Sequence, residues 1–176
     1  MIVLGIDPGL RKTGFGIIKY NNSNYQYILS GSIATNSSEA LSDRLKSIFD
    51  GLKEIIETYK PTCVSIEKVF VNANPQSTLL SGQARGVAIA SCVLFSLPVF
   101  EYTALQVKKS VVGYGHADKT QIAAMIKYIL KLNKTPPADP SDALAIAITH
   151  INQDKLNTMF NIKNTRNGRM MTYKKD

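Results

Sequence analysis

The chain of 176 residues has room for one domain of ordinary size and a tail. With 44% hydrophobic residues it can build a core, which excludes wholesale disorder; 21 Lys and Arg against 13 Asp and Glu give a net charge of +8, which favours a polyanionic partner, nucleic acid before an anionic membrane. Its two cysteines, Cys63 and Cys92, are too few for a disulfide framework or a zinc cluster, and both read as reduced core thiols.

Ile2 to Ile6 reads as a buried central strand. Asp7 breaks this apolar run too early for a secretory leader. The segment from Asp7 to Lys12 supplies turn chemistry, Gly14 to Tyr20 returns as a second strand, and Tyr25 to Ile33 makes a third after the Asn21–Asn24 turn. The period then changes. Leu41, Leu45, Ile48, Leu52, Ile55 and Ile56 fall at helical spacing, with Ser37 or Ser38 as the expected N-cap and Pro61 as the stop.

Cys63 to Ile66 is a short fourth strand closed by Glu67. A long helix is expected from Gln76 to Ser96, with Ser81, Gly82, Gly86 and Ala90 forming a small-residue face. Its apolar stretch, Val87 to Leu97, is far short of the ~20 residues a bilayer span needs, so a soluble, cytoplasmic protein without a membrane partner is expected. Val99 to Tyr102 is a fifth strand, and Thr103 to Gln106 a capping box opening the next helix. Gly113 breaks that helix, Asp118 or Lys119 starts another ending near Leu132, and Asp139-Pro140-Ser141-Asp142 opens a last helix through His150. The sum is one α/β domain over residues 1–151, with a mixed five-stranded sheet that starts as a three-stranded antiparallel meander and is flanked by helices. Residues 152–176, where Lys and Arg outnumber Asp six to two, read as a basic, flexible tail.

Four carboxylates can carry chemistry. Asp7 ends an apolar strand, where an unsatisfied carboxylate is costly, although a turn-forming Asp is the bland alternative. Glu67 ends another strand; if the first and fourth strands are parallel neighbours, both carboxylates emerge at the sheet edge where α/β folds place ligands. Asp139 and Asp142, three apart on a helix, share one face, although capping alone explains Asp139 as N-cap with Pro140 at the first helical position. Carboxylates without a His/Cys cluster suit a hard cation such as Mg²⁺. In a basic protein they compose a metal-dependent nuclease, the positive surface holding the phosphate backbone while metal neutralises the scissile phosphate.

The blocks Ile6-Asp7-Pro8-Gly9, Ser65-Ile66-Glu67-Lys68-Val69-Phe70, Gly82-Gln83-Ala84-Arg85-Gly86-Val87-Ala88 and Asp142 to His150 resemble the RuvC-type Holliday junction resolvases, in order over residues 1 to 151. The resemblance implies an RNase H-like fold and a homodimer that resolves four-way junction DNA in recombination and repair by two symmetric nicks. It implies Asp7, Glu67, Asp139 and Asp142 as catalytic ligands of two Mg²⁺ ions, with Mn²⁺ as a substitute. It also implies Phe70 as a contact to unpaired bases at the crossover, Lys108 and Lys119 as phosphate-handling residues, and the RuvA–RuvB branch-migration complex as a partner.

The expected reaction is two-metal phosphodiester hydrolysis leaving 5′-phosphate and 3′-hydroxyl ends, with Lys119 adding charge at the phosphorus. Arg11 and Lys12 read as further DNA contacts. His116 reads as a loop residue and His150 as a complement to the negative helix end. Three other readings compete: a ribosomal-RNA-processing relative, an actin-like ATPase or sugar kinase, and a non-catalytic DNA-binding module. The first looks shorter and lacks the Phe70 loop, the second needs two domains, and the third would leave four carboxylates facing a polyanion.

Overall fold

The computed structural model describes residues 1–68 and 75–159. Strands β1 (Ile2–Asp7), β2 (Lys12–Asn21) and β3 (Asn24–Ala34) form the antiparallel meander. Asn22 and Ser23, at φ 48° and 63°, make the two-residue loop between β2 and β3, the doubly positive φ that matches hairpin twist. Helix α1 (Leu41–Tyr59) leads to β4 (Cys63–Glu67), helix α2 (Pro75–Leu94) to β5 (Val99–Tyr102), and both crossovers place the new strand parallel to its neighbour. The sheet order is β3-β2-β1-β4-β5. Helices α3 (Ala104–Val112), α4 (Lys119–Ile129) and α5 (Ala138–Met159) complete the described residues. This is the five-stranded mixed sheet of an RNase H-like fold.

Strand alternation divides the core in two. Leu4, Ile6, Val64 and Ile66 point to one face and pack with Ile48, Leu52, Ala84 and Ala88 of α1 and α2. Val3 and Cys63 point to the other, where they meet Leu144, Ala147 and Ile151 of α5 and Ile122 and Ile126 of α4. The same period puts Asp7 and Glu67 on the α5 face. Residues 143 to 151 of α5 are all buried, and its alanines let it press onto the sheet. A Cβ added at Gly5 would stand 2.1 Å from the Ala143 carbonyl oxygen, and one at Gly14 2.4 Å from that of Asp139. Glycine at these two positions sets the helix-to-sheet distance.

Several boundaries differ from the sequence reading. Neither Ser37 nor Ser38 caps α1: its N-cap is Ala40, without a side-chain bond, and Ser38 instead donates its hydroxyl to Asn36 Oδ1 at 2.8 Å. That local turn outcompetes the cap. α2 ends at Leu94, where Ser96 turns to φ 56°, and α4 ends at Ile129. Asp139 is not the N-cap of α5, which begins at Ala138; the Ser141 amide donates to the Pro137 carbonyl at 2.9 Å and seats Pro140 inside the first turn. Proline is tolerated there because the first amides have no intrahelical acceptor. α5 also runs beyond His150 to Met159, so residues 152–159, read as tail, are helix; the rest of that tail lies outside the described residues. Tyr25 holds this extension, its hydroxyl donating to Asn152 Oδ1 at 2.5 Å. The capping boxes at Thr103 and Asp118 form as the sequence spacing requires, and both cysteines are buried and free.

Candidate active site

Parallel pairing of β1 with β4 sets Ile6 opposite Ile66, so Asp7 and Glu67 leave the sheet side by side at its carboxyl edge. α5 crosses that edge with its first turn and brings Asp142 over them. Together with Lys108 of α3 and Lys119 of α4, these three carboxylates line one cavity of about 250 Å³, whose remaining wall includes Val107, Ile122 and Ile146. Lys119 Nζ donates to Asp142 Oδ2 at 2.8 Å; the lysine side chain is 74% exposed and the aspartate 20%. Asp139 stands at the flank. It is half-buried and lines a neighbouring groove with Arg11 and Lys12 of the β1–β2 turn.

The electrostatics follow from this crowding. Burial, reinforced by the charges of Glu67 and Asp142, pushes the Asp7 carboxyl up to about 7, with Lys119 opposing. Glu67 is also raised, by burial first, although its hydrogen bond with Asp7 pulls the other way. Two carboxylates crowded at one buried edge therefore resist ionising together. Lys119 is raised above its ordinary value, chiefly by its hydrogen bond to Asp142.

A pocket of oxygen donors in which burial, and then like charges, drive a carboxyl toward neutrality fits a hard divalent cation, whose charge would offset both. Among the described residues no three His, Cys, Asp or Glu side chains already close on one point as a cage. Asp7, Glu67 and Asp142 are the three that one cavity brings together, with Asp139 beside it.

Phe70 lies outside the described residues. His116 is exposed in the turn between α3 and α4. His150 does not serve a helix end: α5 continues past it, and the ring is buried, stacked on Phe100 and hydrogen-bonded through Nδ1 to the Tyr102 hydroxyl at 2.8 Å. Burial lowers its pKa, and the ring packs as a core residue.

Two arginines without a role in the sequence reading bear on the site. Arg85 of α2 donates from Nε to the Glu67 carbonyl at 3.3 Å and pairs through Nη2 with Glu101 of β5. Arg44 of α1 donates to the carbonyl of Leu10 in the turn after Asp7. A lone arginine in the otherwise small and apolar Ala84–Ala88 stretch was the available signal for Arg85; Arg44, on the polar side of an amphipathic helix, offered none.

The profile of the crossover junction endodeoxyribonuclease RuvC family matches residues 3–150. Among curated relatives, a crossover junction endodeoxyribonuclease RuvC from Cupriavidus necator is 53% identical over 160 residues, 90% of this chain and 88% of that protein. One from Nitrosomonas eutropha is 57% identical over 148 residues, 84% of this chain and 83% of that protein. Among solved structures, a T. thermophilus RuvC in complex with Holliday junction substrate superposes with a TM-score of 0.85 at 30% identity, over 90% of this chain and 97% of that one. The yeast mitochondrial Holliday junction resolvase shares the fold at a TM-score of 0.67 and 15% identity, over 90% of this chain and 81% of that one.

Proposed function

Since the chain belongs to the RuvC family of crossover junction endodeoxyribonucleases, a hydrolase family that cuts Holliday junctions, we propose that Asp7, Glu67 and Asp142, with Asp139 at the flank, form its catalytic metal site and that Lys119 and Lys108 hold the scissile phosphate. The observation that carries the assignment is the single cavity in which three buried-edge carboxylates meet two lysines.

The family is Mg²⁺-dependent. Two Mg²⁺ ions, or Mn²⁺ in their place, would supply the charge that activates water and stabilises the departing 3′ oxygen, giving 5′-phosphate and 3′-hydroxyl ends. The protein's own contribution is positional. Asp7 and Glu67 are fixed by neighbouring strands. Asp142 is fixed by a helix with no space beneath it and is held by Lys119 until phosphate competes for the ammonium. The apolar wall of Val107, Ile122 and Ile146 limits water and strengthens each charge interaction inside. Arg11 and Lys12, exposed beside Asp139, extend the phosphate contacts, and Phe70 is assigned the unpaired base at the crossover from its place after Glu67.

A second copy of this chain is the proposed partner, because two strands must be cut and one chain carries one site. The outward face of α2 suits it. Gly82 and Gly86 have nothing within 4 Å of an added Cβ, and Leu79 and Val93 on the same ridge are 63% and 50% exposed. The RuvA–RuvB branch-migration complex and the cytoplasm complete the proposed setting. No helix among the described residues is long and apolar enough to cross a membrane.

The test is cleavage of a synthetic four-way junction, a linear duplex and a structured RNA, each with and without Mg²⁺. Paired nicks in the junction alone, dependent on metal, are expected. Equal cutting of the duplex or the RNA would overturn the proposal.

A further inference from the structure

We propose that the groove beside Asp139 is a phosphate subsite anchored by Arg44, which takes the backbone of the cut strand as it leaves the active site; this deepens the nuclease reading and rests on it. The groove has a volume of about 560 Å³ and is lined by Gly9, Arg11, Lys12, Arg44, Ser81 and Asp139 among others. It adjoins the catalytic cavity through two elements at once. Asp7 lines the cavity and Gly9, two residues on, lines the groove; Asp142 lines the cavity and Asp139, one turn earlier in α5, lines the groove. The groove therefore lies on the side of the cavity toward which a phosphodiester chain held by Lys108 and Lys119 would run past Asp139.

The charge of the groove is only partly compensated. Arg11, Lys12 and Arg44 face one carboxylate, Asp139, and none of the three cations forms an ion pair among the described residues. Arg11 and Lys12 are exposed, but Arg44 is built in. Its Nε donates to Thr35 Oγ1 at 3.0 Å and its Nη2 to the Leu10 carbonyl at 3.4 Å, while Thr35 donates its own hydroxyl to that same carbonyl at 2.6 Å. A guanidinium carries five N–H donors in a rigid plane, so neutral acceptors fix this plane and leave donors over for an anion. A half-buried guanidinium with only neutral partners and a mouth open to the site is matched by the two free oxygens of a phosphodiester.

The competing role, a brace for the turn that follows Asp7, predicts different behaviour. Binding of the full chain to a four-way junction without Mg²⁺ is measured over a range of salt for wild type, Arg44→Gln and Arg44→Lys. Loss of one phosphate contact should reduce the slope of log affinity against log salt by about 0.9 and weaken binding about tenfold near 0.1 M salt. Arg44→Gln should show both, and Arg44→Lys should keep the slope. Methylphosphonates placed singly around the scissile bond should reveal one position that weakens wild type and weakens Arg44→Gln no further. A wild-type slope in Arg44→Gln, or equal losses for both proteins at every methylphosphonate, would overturn the subsite.

If thermal melting shows Arg44→Gln unfolded, the exposed pair Arg11→Gln with Lys12→Gln takes its place, and an unchanged slope there counts equally against the groove. Failure of the nuclease reading would look different: wild type itself would not select the junction.

Discussion

Arg85 Nε donates to the main-chain carbonyl of Glu67 at 3.3 Å, joining the α2 helix to the backbone of a proposed metal ligand. Its Nη2 is tied to Glu101, whose strand also receives the Lys68 amide at the Tyr102 carbonyl at 2.8 Å. The end of β4 is therefore held from two sides. Arg85→Gln should lower kcat for junction cleavage about tenfold or more, the usual size for a group that orients a metal ligand, and raise the Mg²⁺ concentration needed for half-maximal rate. Metal-free junction affinity should stay near wild type. A Mg²⁺ titration of the cleavage rate checks this, and an unchanged titration would confine Arg85 to holding the fold.

Asp7→Asn should abolish cleavage and retain junction binding. The change removes a ligand charge from a cavity lined by Glu67 and Asp142 and touches no cationic contact to phosphate. Gel-shift and cleavage assays on one preparation decide it. Joint loss of both in a folded variant would make Asp7 structural.

Stability should fall as pH rises. The Asp7 carboxyl is raised from 3.8 to about 7 by burial, Glu67 and Asp142, against Lys119. Between those values the folded chain holds a proton that the unfolded chain has released, so the fold loses stability through that window and the loss is complete above it. Mg²⁺ should therefore raise the melting temperature more at about pH 8 than at about pH 5, and Asp7→Asn should flatten the metal-free profile. Melts in EDTA and in Mg²⁺ give both results.

Gly5→Ala should destabilise by about 1–3 kcal/mol, the range for forcing a methyl into a filled core, because its Cβ would lie 2.1 Å from the Ala143 carbonyl oxygen. The cost is accompanied by lost cleavage in the fraction that still folds, since Ala143 follows Asp142. Urea denaturation and cleavage rates per folded molecule report the two effects separately.

Gly86→Leu should split the proposed dimer and leave a folded monomer. No atom lies within 4 Å of an added Cβ there, whereas Ala84 and Ala88 on the opposite face are fully buried. Sedimentation shows which holds: an unchanged dimer would move the interface elsewhere, and an unfolded chain would make the ridge part of the core.

All five strands were legible because their signal is local: β-branched runs, alternation and turn residues. So were the capping boxes at Thr103 and Asp118, whose partners lie three residues away. The ends of α5 were not. Pro140 favours the first position of a helix but is tolerated at the third, and only the Pro137 carbonyl, accepting from Ser141, shows which it takes. The polar run after His150 has no apolar period, yet it stays helical where Tyr25 holds Asn152 and Lys155 lies over the Tyr25 ring at 5.3 Å. Asp7 and Glu67 could be paired from the sequence once their strands were parallel neighbours. The separation of Asp139 from Asp142 into groove and cavity depends on how far α5 slides along the sheet, which glycines on two strands, β1 and β2, determine.

The arrival of α5 has a consequence for biosynthesis. Asp142 reaches Asp7 and Glu67 only when this last helix docks on β1 and β2, and Gly5 and Gly14 form a bare surface until it does. A nascent chain on the ribosome, folding from its N-terminus, can assemble the sheet and still lack the third wall of its cavity. On the proposed assignment the site is complete only once α5 has docked, and a product truncated before α5 would lack the Asp142 wall of the cavity.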